Sequence, residues 1–147
     1  MAKQSTKYGI VTYKSPEGPR AGIVVDGKVA DATKVTRNKA YSSVQAILDD
    51  WKAAQPVLAG AADKIAAGKA ETKSLASTKL HAAVHWPVTI YCAGANYSDH
   101  VARMAAKQGV KPDANPKEAG LKPWHFIKPS RTAIGHKEYI SVVSAAL

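Results

Sequence analysis

The chain is 147 residues long, carries a formal net charge of +10, and has one cysteine, Cys92. That length makes one ordinary domain, or a small domain with part of another. The opening MAKQSTKYG has no apolar signal core, no stretch is long and apolar enough to span a bilayer, and a single thiol cannot close an internal disulfide. These features point to a cytoplasmic protein with no membrane partner.

Tyr8 to Tyr13 reads as a first strand, closed by the turn-rich Ser15-Pro16-Glu17-Gly18-Pro19. Ala21 to Val25 and Lys28 to Ala32 flank Asp26-Gly27, a pair whose residues both accept positive φ, so a two-residue hairpin turn is expected there. Arg20, just before the second strand, reads as a surface charge. Ser42 with Gln45 resembles a capping box, and Val44, Ile47, Leu48 and Trp51 follow at helical spacing as a core-facing stripe. Pro56 interrupts that pattern, which Leu58, Ala61, Ala62 and Ile65 resume until Gly68. Residues 1–72 thus read as a small N-terminal α+β domain, a β-meander with helices.

The polar stretch that follows places an interdomain linker at 73–87. His81 and His85 lie there at a spacing two metal ligands can share. No third ligand accompanies them, so they are read as linker histidines. Val88 to Cys92 is a short β-branched and aromatic run between Pro87 and Gly94, hence a buried strand, with Cys92 a structural thiol. The chain turns through Gly94 to Tyr97. Ser98 or Asp99 then caps a helix that starts near His100 and stops at Gly109. Trp124 and Phe126 alternate with His125 and Ile127 as a strand core. The lysines are scattered along the chain and form no cluster, which argues for a solvated surface and against a nucleic-acid partner.

Gly94-x-Asn96-Tyr97-x-Asp99-His100, followed by Phe126-Ile127-Lys128-Pro129 and Gly135, resembles the fumarylacetoacetate hydrolase family in the order and spacing of its motifs. The resemblance covers roughly the last third of the chain, and the leading domain also looks like that of many members. It implies an overall α+β, mainly β architecture in which 88–147 is the start of a mixed, rolled β catalytic domain, apparently truncated. It further implies metal-dependent hydrolysis or lysis of C–C bonds in small 2-oxo or 1,3-diketo acids of the acylpyruvate type. His100 matches the motif histidine and would activate water. The same resemblance implies Mg²⁺ or Mn²⁺ as cofactor, with acidic ligands beyond Leu147, and a homodimer in the full-length form.

Asn96 and Tyr97 are the candidate substrate-binding residues of the loop. Lys128 and Arg131 are candidate carboxylate-binding groups; the alternative is a strand end for Lys128 and a plain surface charge for Arg131. The family often has Glu three residues after the histidine, where it orients the ring; this chain has Arg103. Because of that departure and the missing metal carboxylates, the 147-residue chain alone is expected to be inactive. A truncated, non-catalytic family member with a fold or partner-binding role is the alternative, and a basic nucleic-acid-binding module is a distant one.

Overall fold

The computed structural model describes residues 6–94, 97–111, 118, 120 and 122–141. They fall into two compact units, one of residues up to 87 together with 133–141, the other of 88–132. The fold is α+β as expected. Among the described residues helix makes up 38% and strand 24%, in keeping with a small α+β domain. Among the described residues no helix is long and apolar enough to cross a membrane.

In the first unit β1 (Gly9–Ser15), β2 (Gly18–Val25) and β3 (Lys28–Asp31) form an antiparallel meander. Asp26 and Gly27 both take positive φ, 47° and 73°, the geometry of the tight turn read from their identity. The odd-numbered Ala21, Ile23 and Val25 of β2 face the core, as a strand's two-residue alternation requires. Helices α1 (Ala32–Thr36), α2 (Val44–Asp49) and α3 (Trp51–Ala66) supply most of the rest of that core, with Ala30 of β3 and Tyr41 of the short turn Lys39–Ser42. On α3 the buried stripe is Ala54, Leu58, Ala61, Ala62 and Ile65, the spacing of one helix face. The helix closes where Gly68, at φ +68°, lets its own N–H bond Ile65 O and the Lys69 N–H bond Lys64 O.

Several local expectations shift. Ser43, not Ser42, caps α2: its hydroxyl accepts from the Ala46 N–H at 3.1 Å, while Gln45 turns to Asp49 instead. The chain breaks at Asp50 (φ −110°, ψ 30°) before α3 starts. Val44 and Ile47 of α2 stay buried, Leu48 beside them is 39% exposed, and Trp51, past the break, is 40% exposed, so the expected stripe does not run on through Leu48 and Trp51. Pro56 lies inside α3, where its missing N–H forfeits one ladder bond, and the buried residues on either side keep the helix continuous.

Residues 73–87, expected as a linker, include part of the first unit's sheet. Lys73–Ser74 forms β4 against β3, with Val29 opposite Lys73. Leu80 bridges to Tyr13, the His81 N–H donates to Thr12 O at 2.9 Å, and Thr12 Oγ1 donates to Ala83 O at 2.7 Å. The physical reason is the sheet's second face. Tyr13 and Val29 point away from the helices yet are 4% and 3% exposed, so something must cover them. Gly22 sits beneath that cluster, where a Cβ would meet Val29 Cγ1 at 2.7 Å and Tyr13 Cδ1 at 3.1 Å.

The second unit pairs β5 (Ile90–Ala93) with β6 (His125–Lys128), antiparallel, and carries α4 (Ser98–Gln108). Its buried side chain among the described residues is Ala105. Trp124 and Phe126 are 57% and 41% exposed, which corrects the strand-core reading, because a two-stranded sheet has no second layer to cover them. Cys92 is half-buried.

Candidate functional site

Gly94 marks the point where β5 hands over to the motif loop. Its N–H donates to Trp124 O at 3.1 Å, extending the ladder by one bond, and any Cβ there would overlap the Trp124 indole. A glycine is therefore demanded by close approach of a ring, not by backbone angle. Asn96 lies outside the described residues. Tyr97 is extended (φ −120°, ψ 130°) and is the residue that precedes α4, so the helix starts two residues before His100.

His100 is the third residue of α4 and is exposed. The neighbouring Asp99 is occupied by Arg103: Nη2 donates to Asp99 Oδ2 at 3.1 Å and Nε to Asp99 O at 3.4 Å. Position 103, where the motif resemblance would lead one to expect a ring-orienting carboxylate, holds a guanidinium that turns back to the first helical turn. Lys128 stands opposite Ile90 in the ladder, at the far end from Ala93, whose strand leads to α4. At about 3.4 Å per residue, three residues of ladder separate those two backbone positions by roughly 10 Å. Its ammonium sits over the Phe126 ring, 5.9 Å from the centroid. Arg131 follows in the short Ser130–Thr132 turn, exposed but engaged in an interaction of its own. Tyr97, His100, Lys128 and Arg131 share the second unit and its surface.

The described residues do not fit the implied Mg²⁺ or Mn²⁺. No group of three His, Cys, Asp or Glu side chains among them is arranged to hold a metal. The pair read as linker histidines, His81 and His85, has ring centroids 4.9 Å apart, and His85 stacks on Trp86 at 4.4 Å. A carboxylate does reach them, unforeseen because it lies 57 residues on: Glu138 Oε1 is 3.2 Å from His81 Nδ1. The other Glu138 oxygen accepts from the Gly135 N–H at 2.7 Å. That backbone bond, with His81 and Lys79 nearby, holds the Glu138 carboxyl below its ordinary value against the opposing effect of burial. Gly135 packs so tightly on this segment that a Cβ would lie 2.5 Å from Leu80 O and 2.7 Å from His81 Cα.

The best-organised polar cluster gathers around Arg20, which in sequence reads as a surface charge. Arg20 grips Asp31 with Nε at 2.7 Å and Nη2 at 3.3 Å, and Nη2 also donates to Thr33 Oγ1 at 2.6 Å. Asp31 further accepts from the Tyr13 hydroxyl at 2.7 Å, the Thr33 hydroxyl at 2.6 Å and the Lys34 N–H at 3.0 Å. Burial works to raise the Asp31 pKa, and these bonds outweigh it, holding the carboxyl well below the usual range. Burial and Asp31 together push the Tyr13 phenol up to about 12, so it remains a donor. The adjoining cavity, lined by Tyr13, Val29, Asp31, Lys34, Glu71, Thr72 and Lys73, measures about 40 Å³. Water fits such a space; an organic substrate needs several-fold more. The cluster is structural: it pins β1, β2, β3 and the start of α1 together.

Residues 14–85 match the protein family described as Fumarylacetoacetase N-terminal domain 2. Among curated proteins, none gives a significant match to the chain. The matched span begins at the last two residues of β1 and holds β2, β3, α1 to α3 and β4. The chain therefore carries an N-terminal domain of the fumarylacetoacetate hydrolase family.

Proposed function

We propose that the chain serves the hydrolysis or lysis of a C–C bond in a small 2-oxo or 1,3-diketo acid, acylpyruvate-type, with His100 activating the attacking water. The observation that carries the reading is the order of parts: a family N-terminal domain at 14–85, then strand, Gly94-x-Asn96-Tyr97, His100 in the first turn of a helix, and Phe126-Ile127-Lys128-Pro129 on the paired strand. In this chemistry the imidazole takes a proton from water as the oxygen bonds to the carbonyl carbon. The adjacent C–C bond breaks, and the departing carbanion, an enolate, takes the proton back. Asn96 and Tyr97 precede the histidine by four and three residues, while Lys128 and Arg131 offer cationic binding to the substrate carboxylate.

The family usually uses divalent metals. Because the described residues supply no donor set, no step is assigned to Mg²⁺ or Mn²⁺ here, and the chain by itself is expected to lack turnover. The working form on this reading is a cytoplasmic homodimer. The test is release of pyruvate from an acylpyruvate and from oxaloacetate by the protein isolated from its source cells, with Mn²⁺ present. Turnover with either substrate supports the reading, and none with both counts against it.

A second reading is favoured by the Arg103–Asp99 pair, which leaves His100 without a carboxylate one helical turn on. It makes the chain a non-catalytic family member with a fold or partner-binding role. Retained folding with no Mn²⁺-dependent turnover separates it from the enzyme.

A further inference from the structure

Within the first unit, residues 133–141 return to the segment that follows β4 and bring a carboxylate to a pair of histidines. His81 and His85 are both half-buried, their ring centroids lie 4.9 Å apart, and the rings are tilted by 50°. The segment that carries them is fixed by contacts outside the pair. The His81 N–H donates to Thr12 O at 2.9 Å, Thr12 Oγ1 donates to Ala83 O at 2.7 Å, and the His85 ring stacks on Trp86. Glu138 is a separate observation: its Oε1 faces His81 Nδ1 at 3.2 Å, and its other oxygen is itself held by the Gly135 N–H at 2.7 Å. A carboxylate at Nδ1 selects the tautomer with its proton on that nitrogen and the lone pair on Nε2, the arrangement that stands behind metal-bound histidines.

The spacing of the rings agrees with a shared ion. With Zn–N bonds of about 2.0–2.1 Å and a ring centroid about 1.2 Å beyond the nitrogen, two imidazoles at a tetrahedral angle have centroids roughly 5 Å apart. His85 has a further interaction of its own, and a ring with two nitrogens can keep a bond at one and ligate through the other. We propose that His81 and His85 together bind a divalent ion of the Zn²⁺ class, with Glu138 as the positioning residue for His81 and water at the remaining positions. Imidazole nitrogen suits Zn²⁺, whereas Mg²⁺ and Mn²⁺ favour oxygen donors, so this site is distinct from the metal that the family resemblance implies. Two donors are present among the described residues and not three, which makes the site an exchangeable one and not a closed structural centre. The inference does not depend on the oxo-acid reading.

The experiment titrates the full chain, free of any affinity tag, with zinc chloride in a calorimeter, with magnesium chloride as control. Expected is saturable binding of one Zn²⁺ per chain and none of Mg²⁺. His81→Asn and, separately, His85→Asn should each weaken Zn²⁺ binding by about tenfold or more, and Glu138→Gln, which keeps an acceptor for the Gly135 N–H, by about tenfold. His125→Asn, on β6 of the second unit, should bind as the parent does. Melts without Zn²⁺ establish that each variant is folded. Amide exchange at 81–86 and 133–141 should slow when Zn²⁺ is added to the parent, since a ligated His81 holds both segments together through Glu138. Absence of saturable Zn²⁺ binding, equal binding of Mg²⁺, or a Zn²⁺ affinity unchanged in either folded histidine variant overturns the proposal.

Discussion

Replacing Asp31 by alanine removes a carboxylate that accepts bonds from Arg20, Tyr13, Thr33 and the Lys34 N–H. The Lys34 bond is the N-cap of α1, worth about 1 kcal/mol. The Tyr13 hydroxyl, on a ring 4% exposed, loses its acceptor at a cost of about 1 kcal/mol. Arg20 and Asp31 have side chains 23% and 9% exposed, between a surface pair and a buried one. Leaving the guanidinium unpaired there costs about 1–2 kcal/mol, interpolating between those limits. Allowing for overlap among bonds to one group, Asp31→Ala should lose about 3 kcal/mol, or roughly 6–12 °C of Tm for a chain of this size. Asp31→Asn keeps one acceptor oxygen, for the Lys34 N–H and the Thr33 hydroxyl on the Oδ1 side, but puts an NH2 donor where Tyr13 and Arg20 donate, so it should lose less than Asp31→Ala while keeping the α1 cap. Thermal and urea melts of both variants, with Arg20→Ala and the double variant completing a cycle, measure the pair directly. Coupling below about 0.5 kcal/mol, or an Asp31→Ala Tm within about 2 °C of the parent, refutes the assignment of this cluster as the pin of the sheet.

Other expectations follow from the same geometry. Because the folded-state pKa of Asp31 is depressed, its contribution is complete above the unfolded value of about 4 and is lost as pH falls through the folded value. Melts taken from pH 6 down to pH 2 should show stability falling below about pH 4, and Asp31→Asn should flatten that fall. Gly135→Ala places a methyl against the backbone at Leu80 and His81, which cannot yield as a side chain can. Hydrogen exchange at 133–141 should accelerate while the amides of β1 to β3 keep their protection; no change there contradicts the packing. Leu58→Ala, at a fully buried position of α3, should cost about 2–5 kcal/mol in a urea melt, whereas Val57→Ala next to it, 38% exposed, should cost far less.

Local rules read much of the first unit well. Asp26-Gly27 carried its own turn geometry, and the stripe from Leu58 to Ile65 carried its own helix face, because both depend on residues a few positions apart. Ser42 and Ser43 are both plausible caps by local pattern, and the short turn at Lys39–Ser42, which uses Ser42, leaves Ser43 to cap α2. Arg20 looked like a surface charge since its partners Asp31 and Thr33 lie across a strand pair, beyond any local window. The stretch after Gly68 looks like a linker from its polarity, yet Lys73 pairs with Val29, Leu80 bridges to Tyr13 and Val84 packs against the helix-side core, contacts that polarity does not reveal. In the candidate site, Gly94 and Gly135 stood out as motif positions, but their reasons are tertiary: an indole over one and the Leu80–His81 backbone under the other. The pairing of Arg103 with Asp99 was within reach, being a plain four-residue helical spacing.

On the proposed reading His100 activates water for C–C bond cleavage. It is tested most directly by comparing kcat/KM of His100→Ala with the parent on an acylpyruvate, using protein isolated in its native assembly with Mn²⁺. His100 is an exposed residue of α4, so the variant should melt with the parent. The account predicts a loss of about 10²–10⁴-fold in kcat/KM, the scale of a removed general base. Turnover that survives the substitution unchanged contradicts it.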